Sequence, residues 1–227
     1  RSTPDLAANE ERLRAVISSD PLNIYAMRHL WNLLQSSGRS REALALVERA
    51  IALKPLAATN NYPRAQLLWI LGRHAEADRV IDRAMQYWPQ HRWVRFARFI
   101  ILAFTGRERA ARAMLDGRET APQHYTPEAI ALWRVSLVAL EERSAANVAV
   151  ARSANLEAAQ KNLRLSSQAT MTLATLGDTD AAFEVANALL LFRAPSEPSW
   201  TEPKAPVKST AWIFAPWLFT PPLAPLR

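Results

Sequence analysis

Gly38-Arg-Ser-Arg-Glu-Ala43-Leu-Ala-Leu-Val47 is followed 34 residues later by Gly72-Arg-His-Ala-Glu-Ala77-Asp-Arg-Val-Ile81, and 34 later again by Gly106-Arg-Glu-Arg-Ala-Ala111-Arg-Ala-Met-Leu115. Each stretch places an alanine five positions after its glycine and an aliphatic residue nine positions after it. Pro21, Pro55 and Pro89 run on the same period. A fixed period of this length marks a supersecondary unit that buries its apolar face only by stacking on copies of itself. Glycine suits the left-handed turn that ends a helix, and proline stops the next one. Each period therefore reads as two helices around a glycine turn, and the expected fold class is all-α.

The register follows from Ile24 as position 1. The first repeat covers 24–57: Met27, Leu30, Trp31 and Leu34 recur at helical spacing, Ser36-Ser37-Gly38 breaks the helix, and Ala43, Val47, Ala50 and Ile51 share a face of the second one. Ala43 and Ala50 are small where paired helices approach closely, and larger side chains would overpack that contact. The second repeat, 58–91, carries Ala65, Leu68, Gly72, Ala77, Ile81, Ala84 and Pro89 in matching places. The third, 92–125, carries Phe99, Leu102, Gly106, Ala111 and Leu115, but has Arg118 where a small residue is expected, and its proline has moved to Pro122. A degenerate repeat, 126–162, follows, with Ile130, Trp133, Leu137 and Leu140 on one side of its first helix. The pattern returns in 163–194 with Leu173, Gly177, Leu189 and Pro195. Gly106 and Gly177 are two periods plus three residues apart, so the degenerate repeat holds a short insertion. Residues 5–19 read as the second helix of a preceding repeat, which points to an array truncated before Arg1.

This helix-turn-helix period resembles the tetratricopeptide repeat (TPR). The resemblance implies a right-handed α-solenoid, here of about five helical pairs over 1–194. It implies a concave groove lined by the first helix of each pair, chiefly at positions 2, 5, 9 and 12, and a binding role without catalysis. Those positions hold Tyr25, Arg28, Asn32 and Gln35 in the first repeat, and Thr59, Tyr62, Gln66 and Trp69 in the second. In the third they hold Trp93, Phe96, Ile100 and Ala103. The candidate groove residues are therefore Tyr25, Arg28, Asn32, Tyr62, Gln66, Trp69, Trp93 and Phe96; Trp69, Trp93 and Phe96 also fit a role as packing residues between repeats. Arg28 and Asn32 match the peptide-carboxylate clamp of cochaperone TPR proteins, but Pro63, Trp93 and Ala97 stand where that clamp needs asparagine and basic residues. The clamp is rejected.

Residues 195–227 are different material, with eight prolines together with Trp200, Trp212 and Trp217. Proline-rich chain leaves the helical pattern and favours extended conformation, yet Ala211-Trp-Ile-Phe-Ala-Pro-Trp-Leu-Phe219 is strongly apolar, so this tail is expected to pack back on the repeats. The run Ser209–Pro216 with Pro221–Arg227 resembles the C-terminal stretch of bacterial winged-helix transcriptional regulators that carry a TPR-like sensory domain. That resemblance implies a sensory or partner-binding part, periplasmic if membrane-anchored and otherwise cytoplasmic.

Composition narrows the function further. The 227 residues are 49% hydrophobic and 22% charged, ordinary values for a soluble globular chain. No apolar run approaches the ~18 residues that a membrane span requires. Without cysteine there is no disulfide frame, thiolate metal site or cysteine nucleophile, a slight lean toward an oxidising compartment. The formal charge is +7, and its excess is concentrated in Arg92, Arg95, Arg98, Arg107, Arg109, Arg112 and Arg118, opposed there only by Glu108 and Asp116. Such a patch attracts nucleic acid or an acidic partner; the plainer reading is a solvated helix face. No phosphate-binding loop, paired metal-binding histidines or nucleophile elbow occurs. His29, His74, His91 and His124 lack ligand spacing, so neither a metal nor a cofactor is expected. The sequence points first to a module binding a protein or peptide segment, the chain's own tail included. Polyanion binding through 92–118 and an enzyme framed by a helical cavity are the alternatives.

Overall fold

The computed structural model describes residues 6–117, 122, 125–191 and 219–226. Arg118, His124 and tail residues 195–218, including Trp200, Trp212 and Trp217, lie outside the described residues. Among those described, the chain is all-helical. It comprises α1 (Leu6–Ser19), α2 (Ile24–Ser36), α3 (Ser40–Leu53), α4 (Ala58–Ile70), α5 (His74–Tyr87), α6 (Arg92–Ala103), α7 (Glu108–Asp116), α8 (Pro127–Glu141), α9 (Ala145–Lys161), α10 (Ser166–Leu176) and α11 (Thr179–Leu191). Short 3-10 helices stand at Leu163–Leu165 and Pro221–Leu226. Two compact units form, Arg1–Arg98 and Phe99–Arg227, and the boundary falls within α6.

In the first unit each helix packs on the next, from α1 through α5. Gly38 and Gly72 adopt φ of 79° and 76°, left-handed backbone that costs other L-residues strain. Around each glycine the hydrogen bonds are the same. Gly38 N–H donates to the Gln35 carbonyl at 3.1 Å and Arg39 N–H to that of Leu34 at 2.8 Å. Gly72 and Arg73 repeat this on Trp69 and Leu68 at 3.0 and 2.8 Å. This doubly bonded turn satisfies the last carbonyls of the first helix while reversing the chain. The second helix then starts with a recurring ion pair: Arg39 to Glu42 and Arg73 to Glu76, each at 2.7 Å. Both glutamates lie in a first helical turn, where the helix dipole favours negative charge. Ala43, Val47, Ala50, Ala77 and Ile81 are fully buried at the positions the period predicts.

The second unit is built around α10. Of its eleven residues, Ser166 and Gln168 through Ala174 are buried, because α8, α9, α11 and the C-terminal 3-10 helix all pack against it. Its polar residues are accommodated locally: Thr170 Oγ1 donates to the Ser166 carbonyl at 2.8 Å, and Thr175 Oγ1 to that of Met171 at 2.7 Å. Thr220 and Leu223 are buried to within 2%, in the segment that covers α10 and α11. Residues 126–162, where the sequence period breaks, hold longer helices. α8 and α9 have 15 and 17 residues, against 13 and 14 for α2 and α3. They meet without a glycine, and Ser144 caps α9 by accepting from Asn147 N–H at 3.2 Å. An aromatic cluster forms the rest of this core: Trp133 meets Phe99 at 4.9 Å and Phe104 at 5.9 Å, both edge-on, an arrangement that aromatic quadrupoles favour.

Candidate functional site

The N-terminal halves of α2 and α4, together with His91 and the start of α6, form one continuous surface of the first unit. Two contacts define it. Arg28 Nη2 donates to Thr59 Oγ1 at 3.2 Å, and the Tyr62 ring stacks on Trp93 at 6.4 Å with 25° between planes. Arg28 and Tyr62 both hold register position 5; Thr59 and Trp93 both hold position 2 of the next repeat. The same register contact thus recurs at successive junctions, as it must where equivalent helices lie side by side.

The surface is aromatic with a basic edge. Tyr62 also faces His91 at 6.0 Å, Trp93 meets Phe96 edge-on at 5.8 Å, and the Arg92 guanidinium lies 5.1 Å from the Trp93 ring centroid, within cation–π range. At the other end Tyr25, 71% exposed, stacks edge-on with His29 at 4.3 Å. Burial pushes the Tyr62 hydroxyl above its ordinary range, against the pull of Arg28 and Arg92; the tyrosine is a neutral hydrogen-bonding group between two cations. Burial, then Arg92, holds His91 below the usual imidazole range, so it is neutral at pH 7. Arg28 Nε and His91 Nδ1 are buried without a partner among the described residues, which leaves two unused polar atoms in the same cluster. Pro63, one residue on from Tyr62, has no N–H to donate, so the i→i−4 bond to the Thr59 carbonyl is not made.

The remaining groove candidates are placed differently. Asn32 is exposed and Gln66 half-buried. Trp69 is 1% exposed and belongs to the core, its indole nitrogen without a partner among the described residues. Phe96 is 9% exposed and supports Trp93 from beneath. The arginines of the basic stretch are largely engaged. Arg95 is 1% exposed, donating to the Pro89 carbonyl at 2.6 Å and to Gln90 at 2.5 Å. Arg98 pairs with Asp78 at 2.8 Å and Asp82 at 3.0 Å, and in the second unit Arg109 and Arg112 both pair with Glu141, at 3.0 and 2.9 Å. Of Arg92, Arg95 and Arg98 in the first unit, Arg92 is the one set against the aromatic surface. His91 joins this cluster although the register positions do not include it; its place beside Arg92 at the turn before α6 is the sequence signal for it.

Among the described residues no three histidines or carboxylates gather as a metal site, and no helix is long and apolar enough to cross a membrane. No family model, curated protein or solved structure matches this chain.

Proposed function

We propose that this chain is a TPR-like helical-repeat module that binds an extended segment of another protein across α2, α4 and α6. The observation that carries this reading is the repeated contact from position 5 to position 2, Arg28 to Thr59 and Tyr62 to Trp93. It joins small polar and aromatic sites into one strip with a regular step. An extended peptide places successive side chains at a regular step too, and preformed aromatic pockets with hydrogen-bonding groups suit it. Tyr62 and Trp93 supply contact area at low entropic cost, while Arg28, Arg92 and His91 supply polar anchors.

Polyanion binding through the 92–118 stretch is the weaker reading, because Arg95, Arg98, Arg109 and Arg112 already spend their charge on internal acceptors. The sensory part of a winged-helix regulator stays the favoured context. It rests on the tail resemblance; the packing of the C-terminal 3-10 helix on α10 and α11 fits a tail that folds back on the helices.

Panning a display library of random 12-residue peptides on the full chain tests the proposal. Enriched peptides are expected to lose about tenfold or more in affinity for Tyr62→Ala/Trp93→Ala, the size of effect that central aromatic anchors carry. Failure to enrich any peptide whose affinity falls for this variant refutes it.

A further inference from the structure

A second surface of the first unit, independent of the first, lies between α3 and α5. A cleft of about 740 Å³ opens there, with Ile51, Leu56, Val80 and Tyr87 among its apolar walls and Arg79 and Arg83 on its α5 side. Its volume is in the range that accepts several side chains. Leu56 is 74% exposed and Tyr87 59%, so two large apolar groups stand at its rim in water. Arg79 and Arg83 are exposed and lie one turn apart, on the same helix face.

The charges around the cleft are unequal in availability. Its two acids are engaged elsewhere: Glu76 by Arg73 at 2.7 Å and Asp82 by Arg98 at 3.0 Å. Arg64 reaches Glu48 at 3.5 Å. Arg79 adds to the pull that, after the Arg73 hydrogen bond, holds the Glu76 carboxyl below its ordinary range. Neither Arg79 nor Arg83 makes an ion pair or side-chain hydrogen bond among the described residues. We propose that this cleft docks an acidic amphipathic helix of a partner protein, its leucine-like side chains against Ile51, Leu56, Val80 and Tyr87 and its carboxylates on Arg79 and Arg83. A helix presenting acids four residues apart matches the spacing of the two guanidiniums. The chain's own tail has the wrong sign, with Lys204, Lys208 and Arg227 against Glu197 and Glu202. A nucleic-acid backbone would leave the apolar walls unmatched.

The probe is a fluorescein-labelled 16-residue peptide of leucine and glutamate, with leucines at i, i+3, i+4 and i+7 spacing. Fluorescence anisotropy measures its binding to the full chain. Arg79→Glu/Arg83→Glu, and separately Leu56→Ser, are expected to weaken binding about tenfold or more; all three side chains are exposed, so the variants keep the fold, which thermal unfolding verifies. Tyr62→Ala/Trp93→Ala is expected to leave it unchanged, which separates this surface from the aromatic one. Equal binding of the lysine-for-glutamate peptide overturns the charge argument, and equal binding of polyglutamate reduces the cleft to a bare polyanion surface. Loss of binding in Tyr62→Ala/Trp93→Ala moves the peptide to the other face. Self-association of the chain that Arg79→Glu/Arg83→Glu abolishes, read by sedimentation, assigns the cleft to a second copy instead.

Discussion

Replacing Gly72 with alanine isolates the backbone requirement of the inter-helix turn from every packing effect. Gly72 has φ of +76°, and a Cβ built on it meets nothing within 4 Å, so no steric clash contributes. The cost is that of holding an L-residue in left-handed backbone, about 1–2 kcal/mol. The smaller conformational freedom of alanine in the unfolded chain offsets about 0.4–1 kcal/mol of it. Taken at the middle of each range, about 1.5 less about 0.7, the net loss is about 0.8 kcal/mol. With a urea slope of about 2 kcal/mol/M, the midpoint falls by roughly 0.4 M. Gly72→Asn should lose less, because asparagine enters the left-handed region more readily. Urea unfolding followed by far-UV circular dichroism on the three proteins is the assay. Alanine and asparagine equal to each other, or both equal to glycine, would show that the turn does not hold this backbone. A loss above ~3 kcal/mol would mean that packing, not conformation, decides the position.

Three further outcomes follow from the same structure. Trp69→Ala should cost about 3–5 kcal/mol as a core truncation, and Trp69→Phe much less, since it also removes a buried N–H without an acceptor; equal losses would place the indole N–H in an important bond. Arg95→Ala should destabilise by about 2–4 kcal/mol, because a buried guanidinium is removed and the Pro89 carbonyl and Gln90 amide lose their donor, without changing the salt dependence of heparin binding; a shallower salt slope with unchanged stability would return Arg95 to a polyanion site. The cluster tying α1 to α3 should weaken in acid. Burial pushes the Glu10 carboxyl up, but hydrogen bonds from Arg14 and Arg39 outweigh it and hold the group below its ordinary 4.5; the Arg39 hydrogen bond lowers Glu42 likewise. Depressed carboxyls contribute stability that is present above about 4.5 and lost as pH falls through their folded values, and both are partly exposed, so the effect is small. Wild type should exceed Glu10→Gln/Glu42→Gln in urea midpoint at pH 7, and the gap should narrow as pH falls below about 4.5; a gap that does not narrow on acidification contradicts this.

The glycine and proline period was enough to place α2 through α5, since helix stops depend on backbone chemistry that those residue types carry visibly. Charge repeats once on the same period, in Arg39–Glu42 and Arg73–Glu76, and stops at Ala110; exposed ion pairs contribute little and mark a repeat less plainly than glycine and proline do. The burial of α10 was hidden by its serines and threonines. Such residues can bond their own helix's carbonyls, so polarity in sequence does not translate into exposure when several elements surround one helix. Arg95 shows the same limit: its acceptors are a proline carbonyl and a glutamine amide, and only the conformation of the turn brings them to it. At the site, Tyr62 and Trp93 followed from register, whereas the burial of Trp69 depends on how α4 rotates against its neighbours.

Hydrogen–deuterium exchange of the full chain, with and without a peptide enriched by panning, tests the central claim most directly. Segments 24–32, 58–66 and 91–97 should gain protection on binding while 75–88 is unchanged. Protection confined to 75–88, or to the second unit, would contradict a binding face on α2, α4 and α6.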